Sequence, residues 1–143
     1  MDSWPGAGHS VASWHKGPND PVCEADVAVD RFLRRELTAL LPSAGWLSEE
    51  SADDAARLTD RLVWVVDPID GTRDFIRGRK GWAVSVALVS SGRPLIAWLE
   101  APARKERWQA TAGQGALRNG QRLAASSRTE FDGARVPATD LAK

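Results

Sequence analysis

The sequence predicts an α+β, or layered α/β, domain in which an antiparallel sheet carries one long helix and one acidic turn. Three observations on the 143 residues support this prediction. Apolar side chains recur at helical spacing over residues 24–41, and a short apolar run at residues 62–66 ends in carboxylates. Three strand-like runs then follow one another between residues 82 and 111, which is typical of an antiparallel meander.

The first part of the chain is predicted to contain an arm and a helix. Residues 1–20 are rich in Gly, Pro, Ser and His without a sustained period, so we expect a loop or arm there and the domain itself at residues 21–143. A helix over residues 24–41 is ended by Pro42. Its apolar positions are Val29, Phe32, Leu33, Leu37, Leu40 and Leu41.

The rest of the chain is predicted to consist mainly of strands. Residues 45–48 form a short strand, and the polar residues 51–60 form a loop or short helix. The run at residues 62–66 is expected to be a buried strand that Pro68 breaks. The meander comprises residues 82–89, expected to be buried on both faces, a turn at Ser91-Gly92, residues 94–100, residues 106–111 and a corner at residues 113–116.

The composition limits the possible partners and compartment. Basic and acidic residues both number 19, so no net field attracts nucleic acid or a membrane surface. The single cysteine, Cys23, cannot form an internal disulfide and fits a reducing compartment. No apolar run approaches the length of a spanning helix, and the N-terminus lacks a signal pattern. We therefore expect a soluble cytoplasmic domain without nucleic-acid or membrane partners.

The most informative segment is residues 64–72, Trp-Val-Val-Asp-Pro-Ile-Asp-Gly-Thr. Two carboxylates, Asp67 and Asp70, follow a buried strand. Gly71 and Thr72 resemble the start of a helix, where backbone amides are free to meet an anion. Acids beside an anion-binding turn favour a divalent-metal phosphate site; the alternative is a strand followed by an acidic, capped turn.

Four further acids support the metal hypothesis. Asp20 and Asp26 flank the start of the long helix, and Glu49 and Glu50 follow the short strand. Mg²⁺ takes oxygen ligands and keeps some of its waters, so a few carboxylates and a substrate phosphate suffice to bind it. Each acid alone has a plainer interpretation as a solvated side chain or a helix cap, and only their joint occurrence with residues 64–72 indicates a site.

These blocks together resemble the inositol monophosphatase family. The resemblance rests on the ordered blocks at residues 19–26, 46–51 and 64–72, and it continues through residues 82–88, 101–104 and 113–120. It covers about residues 14–143. The family comprises magnesium-dependent, often lithium-sensitive phosphatases with a layered αβαβα fold. The resemblance therefore implies that the present chain has the N-terminal portion of this sugar-phosphatase-like fold.

The resemblance also implies roles for individual residues. Glu49, Asp67 and Asp70 correspond to Mg²⁺ ligands, with the carbonyl of Ile69 as a backbone ligand. Thr72, together with Asp26, corresponds to the pair that orients and deprotonates the attacking water. The amides of Gly71 and Thr72 correspond to the phosphate cradle. Hydrolysis would use water activated by the metal, in line and without a phosphoenzyme.

Two other classes share parts of this motif. Haloacid-dehalogenase enzymes end a strand in Asp-x-Asp-Gly-Thr, but there the acids are two residues apart, whereas Asp67 and Asp70 are three apart with Pro68 between them. An EF-hand loop requires alternating acids and a Glu at its twelfth position, which this segment lacks.

The residues after the motif bear on the substrate. Arg73-Asp74-Phe75 resembles the Lys-Glu-Phe of 3'(2'),5'-bisphosphate nucleotidases more than the Thr-Asn-Phe of inositol phosphatases, and Ser48 stands where many of the latter have Gly. Arg73 would then pair with a second phosphate; its alternative role is that of a solvated helix residue. The expected partner is a small phosphorylated substrate, either a nucleoside bisphosphate or an inositol phosphate. Members of the family are commonly dimers, so the resemblance also points to a homodimer.

A competing hypothesis is a truncated, non-catalytic fragment. The family carries a C-terminal Trp-Asp-x-Ala motif whose Asp is a metal ligand, and no such motif occurs before Lys143. The family's first helix is reduced to the stretch before Trp14. The segment Trp14-His15-Lys16 resembles a part of the family that lies on a mobile loop near a metal, and it is expected to be structural or disordered as readily as functional. On this hypothesis the chain keeps a metal and phosphate half-site without the remaining ligand.

Overall fold

A computed structural model describes residues 11–17 and 20–135. One long helix, one short helix, two 3₁₀ turns and nine strands follow one another within these ranges. The strands are β1 Ser13–Gly17, β2 Asp20–Cys23, β3 Gly45–Ser48, β4 Leu62–Asp70, β5 Ala83–Ser90, β6 Arg93–Ala101, β7 Glu106–Thr111, β8 Gly115–Arg118 and β9 Gln121–Arg122. The helices are α1 Glu24–Leu40 and α2 Thr72–Ile76, and the 3₁₀ turns are Ala55–Thr59 and Pro102–Arg104.

Seven strands form one mixed sheet in the order β3-β4-β5-β6-β7-β8-β9. From β4 onward each strand is antiparallel to the next, so the predicted meander is confirmed. The pair β3–β4 is parallel, with Trp46 opposite Trp64, because the chain crosses over between them through the first 3₁₀ turn. The helix α1 packs against β4. The predicted mixed α+β class is confirmed.

Three local predictions were wrong. Residues 13–17, predicted to lie in an arm, form β1 and pair with β2 in a hairpin. Residues 1–10 of that arm lie outside the described residues, and the boundary at residue 20 stays a prediction. The strand β5, predicted to be buried on both faces, is fully buried only at Ala83 and half-buried from Val84 onward.

The third error concerns Pro68, which does not break β4. The strand continues to Asp70, and its register with β5 changes from Asp67 opposite Ser85 to Asp70 opposite Ala83. Three steps on β4 therefore match two on β5, which is the geometry of a β-bulge. The last register pair of β3 with β4 is Ser48 with Val66, so Pro68 lies where that side of β4 no longer requires a backbone donor.

A small apolar cluster holds the elements around this bulge. Cys23, Ile69, Phe75 and Trp82 are buried together, and the rings of Phe75 and Trp82 meet edge to face with centroids 4.9 Å apart. The cluster joins the end of β2, the end of β4, α2 and the start of β5. It therefore fixes the relative positions of the segments that carry the acidic motif. No helix in the described ranges is long and apolar enough to cross a membrane.

Candidate active site

The parallel pairing of β3 and β4 brings two of the predicted metal ligands to the same edge of the sheet. Ser48 and Val66 are opposite each other, and the next residue on each strand is an acid, Glu49 and Asp67. Parallel strands end at a common edge, so the two carboxylates belong to one region although 18 positions separate them in the sequence.

The bulge in β4 and the following glycine place the remaining motif residues. Asp70 is exposed at the end of β4, and the carbonyl of Ile69 lies just before it. Gly71 adopts a left-handed conformation with φ of 92° and caps α2, so Thr72 is the first helical residue, as predicted. A Cβ at Gly71 would lie 2.5 Å from the carbonyl oxygen of Gly81, so the close approach of the segment just before β5 also requires glycine here.

Asp26 and Thr72 are in direct contact, although 46 positions separate them. Asp26 is completely buried in the first turn of α1, and its Oδ2 accepts a hydrogen bond of 2.8 Å from the backbone N–H of Cys23. Its Oδ1 lies 2.8 Å from Thr72 Oγ1, which also lies 2.9 Å from the carbonyl oxygen of Ile69. The hydroxyl has one proton to donate to these acceptors, so a lone pair of Thr72 Oγ1 stays available to accept a proton.

The surroundings of Asp67 are strongly acidic. The pKa of Asp67 is raised to about 7, mainly by burial. The hydrogen bond and the charge of Glu49 contribute next, and the charges of Asp70 and Asp26 contribute less. Its Oδ1 is buried and finds no hydrogen-bond partner among the described residues. A carboxylate oxygen in this condition lacks a positive partner, and a divalent cation is the group that would provide one.

The acids that surround Asp67 do not form a closed cage. Within residues 11–17 and 20–135, no three His, Cys, Asp or Glu side chains lie close enough to enclose an ion. Like charges repel at short range, so carboxylates are expected to converge only around a cation. The oxygen-only donor set fits Mg²⁺ in kind, with Glu49, Asp67, Asp70 and the Ile69 carbonyl as the residues that would hold it.

The structure brings Lys16 into the site region and pairs it with Glu50, which was already grouped with the acids; the sequence did not predict this pairing. Lys16 Nζ lies 2.5 Å from Glu50 Oε2 and donates a 3.0 Å hydrogen bond to the carbonyl oxygen of Glu49. Burial raises the pKa of Glu50, while Lys16 lowers it. A lysine upstream of an acidic block was the available signal, but without the hairpin nothing in the sequence brought it near Glu50.

Arg73 is exposed on α2 beside Thr72, at a cavity of about 390 Å³ between this helix and the β1–β2 hairpin. The side chain of Asp20, which was grouped with the acids, lies outside the described residues. The lining of the cavity contains three nitrogen-bearing side chains in addition to a hydroxyl and apolar groups. Its members are Ser13, His15, Pro21, Arg73, Ile76 and Arg77.

Comparisons with known proteins give one family match and relatives that carry several names. A family model described as "Inositol monophosphatase family" matches residues 4–141. A protein of Streptomyces griseus named glucose-1-phosphate thymidylyltransferase is 36% identical over 137 residues, which cover 94% of this chain and 52% of that protein. The histidinol-phosphatase of Mycobacterium tuberculosis is 38% identical, and the match covers 85% of this chain and 48% of that protein. The inositol-1-monophosphatase of Rhizobium meliloti is 40% identical, with 79% and 42% covered.

Solved structures share the fold over most of this chain and less than half of their own length. The extragenic suppressor protein SuhB of Bartonella henselae matches with a TM-score of 0.76 and 34% identity, over 82% of this chain and 45% of that one. An IMPase/NADP phosphatase complexed with Mg²⁺ and phosphate matches with a TM-score of 0.72 and 24% identity, over 78% and 43%. The chain thus spans about half the length of the relatives it matches.

Proposed function

The chain belongs to the inositol monophosphatase family, and we propose that it provides the metal and water-activating part of a Mg²⁺-dependent phosphomonoester hydrolase. The observation that carries the proposal is the contact between buried Asp26 and Thr72, near the Asp67 oxygen that has no hydrogen-bond partner among the described residues. The named relatives include phosphatases that act on histidinol phosphate and on inositol 1-phosphate, which supports this class of reaction.

The chemistry follows from the positions of the side chains. Asp26 accepts the proton of the Thr72 hydroxyl, which leaves Thr72 Oγ1 able to accept a proton from water. Glu49, Asp67, Asp70 and the Ile69 carbonyl are the groups that would hold a divalent cation, which would neutralise charge on the phosphate and make water more acidic. The backbone amides of Gly71 and Thr72 would hold the phosphate beside the Thr72 hydroxyl, so water could attack directly and no phosphoenzyme would be needed.

The proposed substrate is a small molecule with a second anionic group, such as 3'-phosphoadenosine 5'-phosphate. The cavity beside Thr72 is lined by Arg73 and Arg77, which are one helical turn apart, and by His15 from β1. Guanidinium groups bind phosphate in a bidentate manner, so this cavity suits a second phosphate. Inositol 1-phosphate is the second candidate, supported by the relative named inositol-1-monophosphatase.

Phosphate release from both substrates tests the proposal. With Mg²⁺ we expect release that EDTA abolishes, faster from the bisphosphate than from inositol 1-phosphate. Thr72→Val removes the hydroxyl at nearly constant shape and should lower the rate about 100-fold or more, the usual contribution of a positioned acid–base group, whereas Thr72→Ser should keep most of it. Release that resists EDTA or is unchanged in Thr72→Val would contradict the proposed chemistry, and the absence of release would favour a non-catalytic chain.

A further inference from the structure

The side chain of Lys16 connects the β1–β2 hairpin to the turn after β3, across 33 positions of sequence. Its ammonium group contacts two acceptors, Glu50 Oε2 at 2.5 Å and the carbonyl oxygen of Glu49 at 3.0 Å. The side chain of Glu50 is only 4% exposed, and that of Lys16 is 32% exposed. We call these three residues the Lys16 bridge.

The Lys16 bridge is a strong local constraint. A buried carboxylate is costly unless it is paired, so Glu50 must keep its ammonium partner, and Lys16 is held in place as a result. The same ammonium donates to the backbone of the preceding residue. The backbone at Glu49 is therefore held by a side chain of the separate two-stranded sheet β1–β2, as well as by its own turn.

The position of Glu49 matters for Asp67. Its carboxylate is the neighbouring group with the largest influence on that acid, so small rotations of the turn would change the spacing of the two carboxylates. We infer that Lys16 is a positioning residue that aims the Glu49 carboxylate at the candidate metal site by holding the Glu49 backbone. This inference rests on the proposed function in that Glu49 is taken as a metal ligand.

A purely electrostatic role for Lys16 predicts the opposite result. A positive charge near a cation site weakens cation binding, so its removal would strengthen binding, and removal of the Glu50 charge would weaken it. Positioning predicts that loss of Lys16 weakens binding. It also predicts that Glu50→Gln has little effect, since the amide oxygen still accepts from Lys16 and the contact with the Glu49 carbonyl persists.

Calorimetric titration of Mg²⁺ into the metal-free chain distinguishes these roles without any activity assay. It is best done in about 0.5 M KCl, where charges more than about 4 Å apart are largely screened. Lys16→Met keeps the length of the side chain and should weaken Mg²⁺ binding about 10-fold or more, as expected for a residue that orients a ligand. Lys16→Arg should restore binding to within about 3-fold, and Glu50→Gln should also stay within about 3-fold.

Lys105→Met is the charge-matched control, because Lys105 is exposed in the turn between β6 and β7. It should leave binding unchanged. Unchanged or tighter binding in Lys16→Met, or weakening of about 10-fold in Glu50→Gln, overturns the positioning role, and the Glu50 variant decides even where Lys16→Met does not fold. If the unsubstituted chain binds no Mg²⁺, the proposed function fails at its metal; if it binds and Lys16→Met binds equally, only the positioning role fails.

Discussion

The side chain of Asp67 follows the last residue of β4 that pairs with β3, and three other acids contribute to its surroundings. A partly buried carboxyl group among other acids holds a proton more tightly than the same group does in the unfolded chain. Burial and Glu49 raise its pKa from 3.8 to about 7. Proton binding and metal binding therefore compete at this residue, and the stability of the metal-free chain depends on pH through it.

The sign of that dependence follows from the raised pKa. Between pH 3.8 and about 7 the folded state binds the Asp67 proton and the unfolded state does not, so this stabilisation is lost as pH rises through about 7. The raised pKa of Glu50 acts in the same direction. In EDTA, the urea midpoint should fall between pH 5 and pH 8, and Asp67→Asn should remove most of the fall. Added Mg²⁺ should raise the midpoint more at pH 8.

Asp53 supplies the control for this experiment. Its pKa is lowered by the hydrogen bond from Arg57, so it is ionised throughout this range and Asp53→Asn should keep the pH dependence. A midpoint that rises between pH 5 and pH 8 in EDTA, or an Asp67→Asn chain that responds as the unsubstituted chain does, would show that Asp67 is not the controlling group.

At the residue scale, contacts between site residues could be predicted from the sequence when the residues are close together in the chain. Asp67, Asp70 and Thr72 lie within one motif, so their proximity needed only a strand and a turn. The contact of Asp26 with Thr72 could be anticipated from the family resemblance, not from spacing. The Lys16 bridge could not, because it depends on a hairpin whose first strand was predicted to be an arm.

At the scale of elements, the junction of β4 with α2 is the feature that orients the motif. The bulge between Asp67 and Asp70 lets β4 pass Pro68, and Gly71 then starts α2. The prediction that Pro68 ends the strand rested on the hydrogen bond that proline cannot donate and on the conformation it favours at Asp67. It could not include the end of β3, which leaves that side of β4 without a neighbouring strand that needs the donor.

Gly71 should therefore be the least replaceable glycine at a turn of the described chain. Gly71→Ala combines an unfavourable φ of 92° with a Cβ only 2.5 Å from the Gly81 carbonyl oxygen. The left-handed conformation alone costs about 1 kcal/mol for alanine, and the backbone clash adds to it, so we expect a loss of about 3 kcal/mol or more. Urea unfolding followed by tryptophan fluorescence measures the loss.

Gly92→Ala is the matched comparison. Gly92 also has a positive φ, 76°, but a Cβ there would meet no atom within 4 Å. It should lose only about 1 kcal/mol, the conformational part of the cost. Equal losses at Gly71 and Gly92 would mean that the segment at Gly81 moves away from the start of α2 at no cost, and its close approach would then have no structural importance.

At the scale of the whole molecule, the sheet is only partly covered. The general α+β class was predictable because the helix and the meander each have a clear period, but exposure depends on what packs against each face. A cavity of about 970 Å³ opens between the end of α1 and the sheet, and apolar side chains predominate in it. Its larger apolar members are Leu37, Leu40, Trp64, Val86, Ile96, Trp98 and Leu117.

Leu40 is the most exposed of these side chains, at 74%, and it is the last residue of α1, whose final turn has no basic residue. Leu40→Lys should therefore stabilise the chain by about 0.3–1 kcal/mol through the helix dipole. It should also reduce binding of the dye ANS and self-association in sedimentation velocity, because it interrupts an exposed apolar surface. Leu58→Lys, at a leucine that is 72% exposed but outside this cavity, should change neither dye binding nor association. Equal effects of the two substitutions would indicate that exposed leucines act singly, and that the apolar lining between α1 and the sheet has no collective role in association.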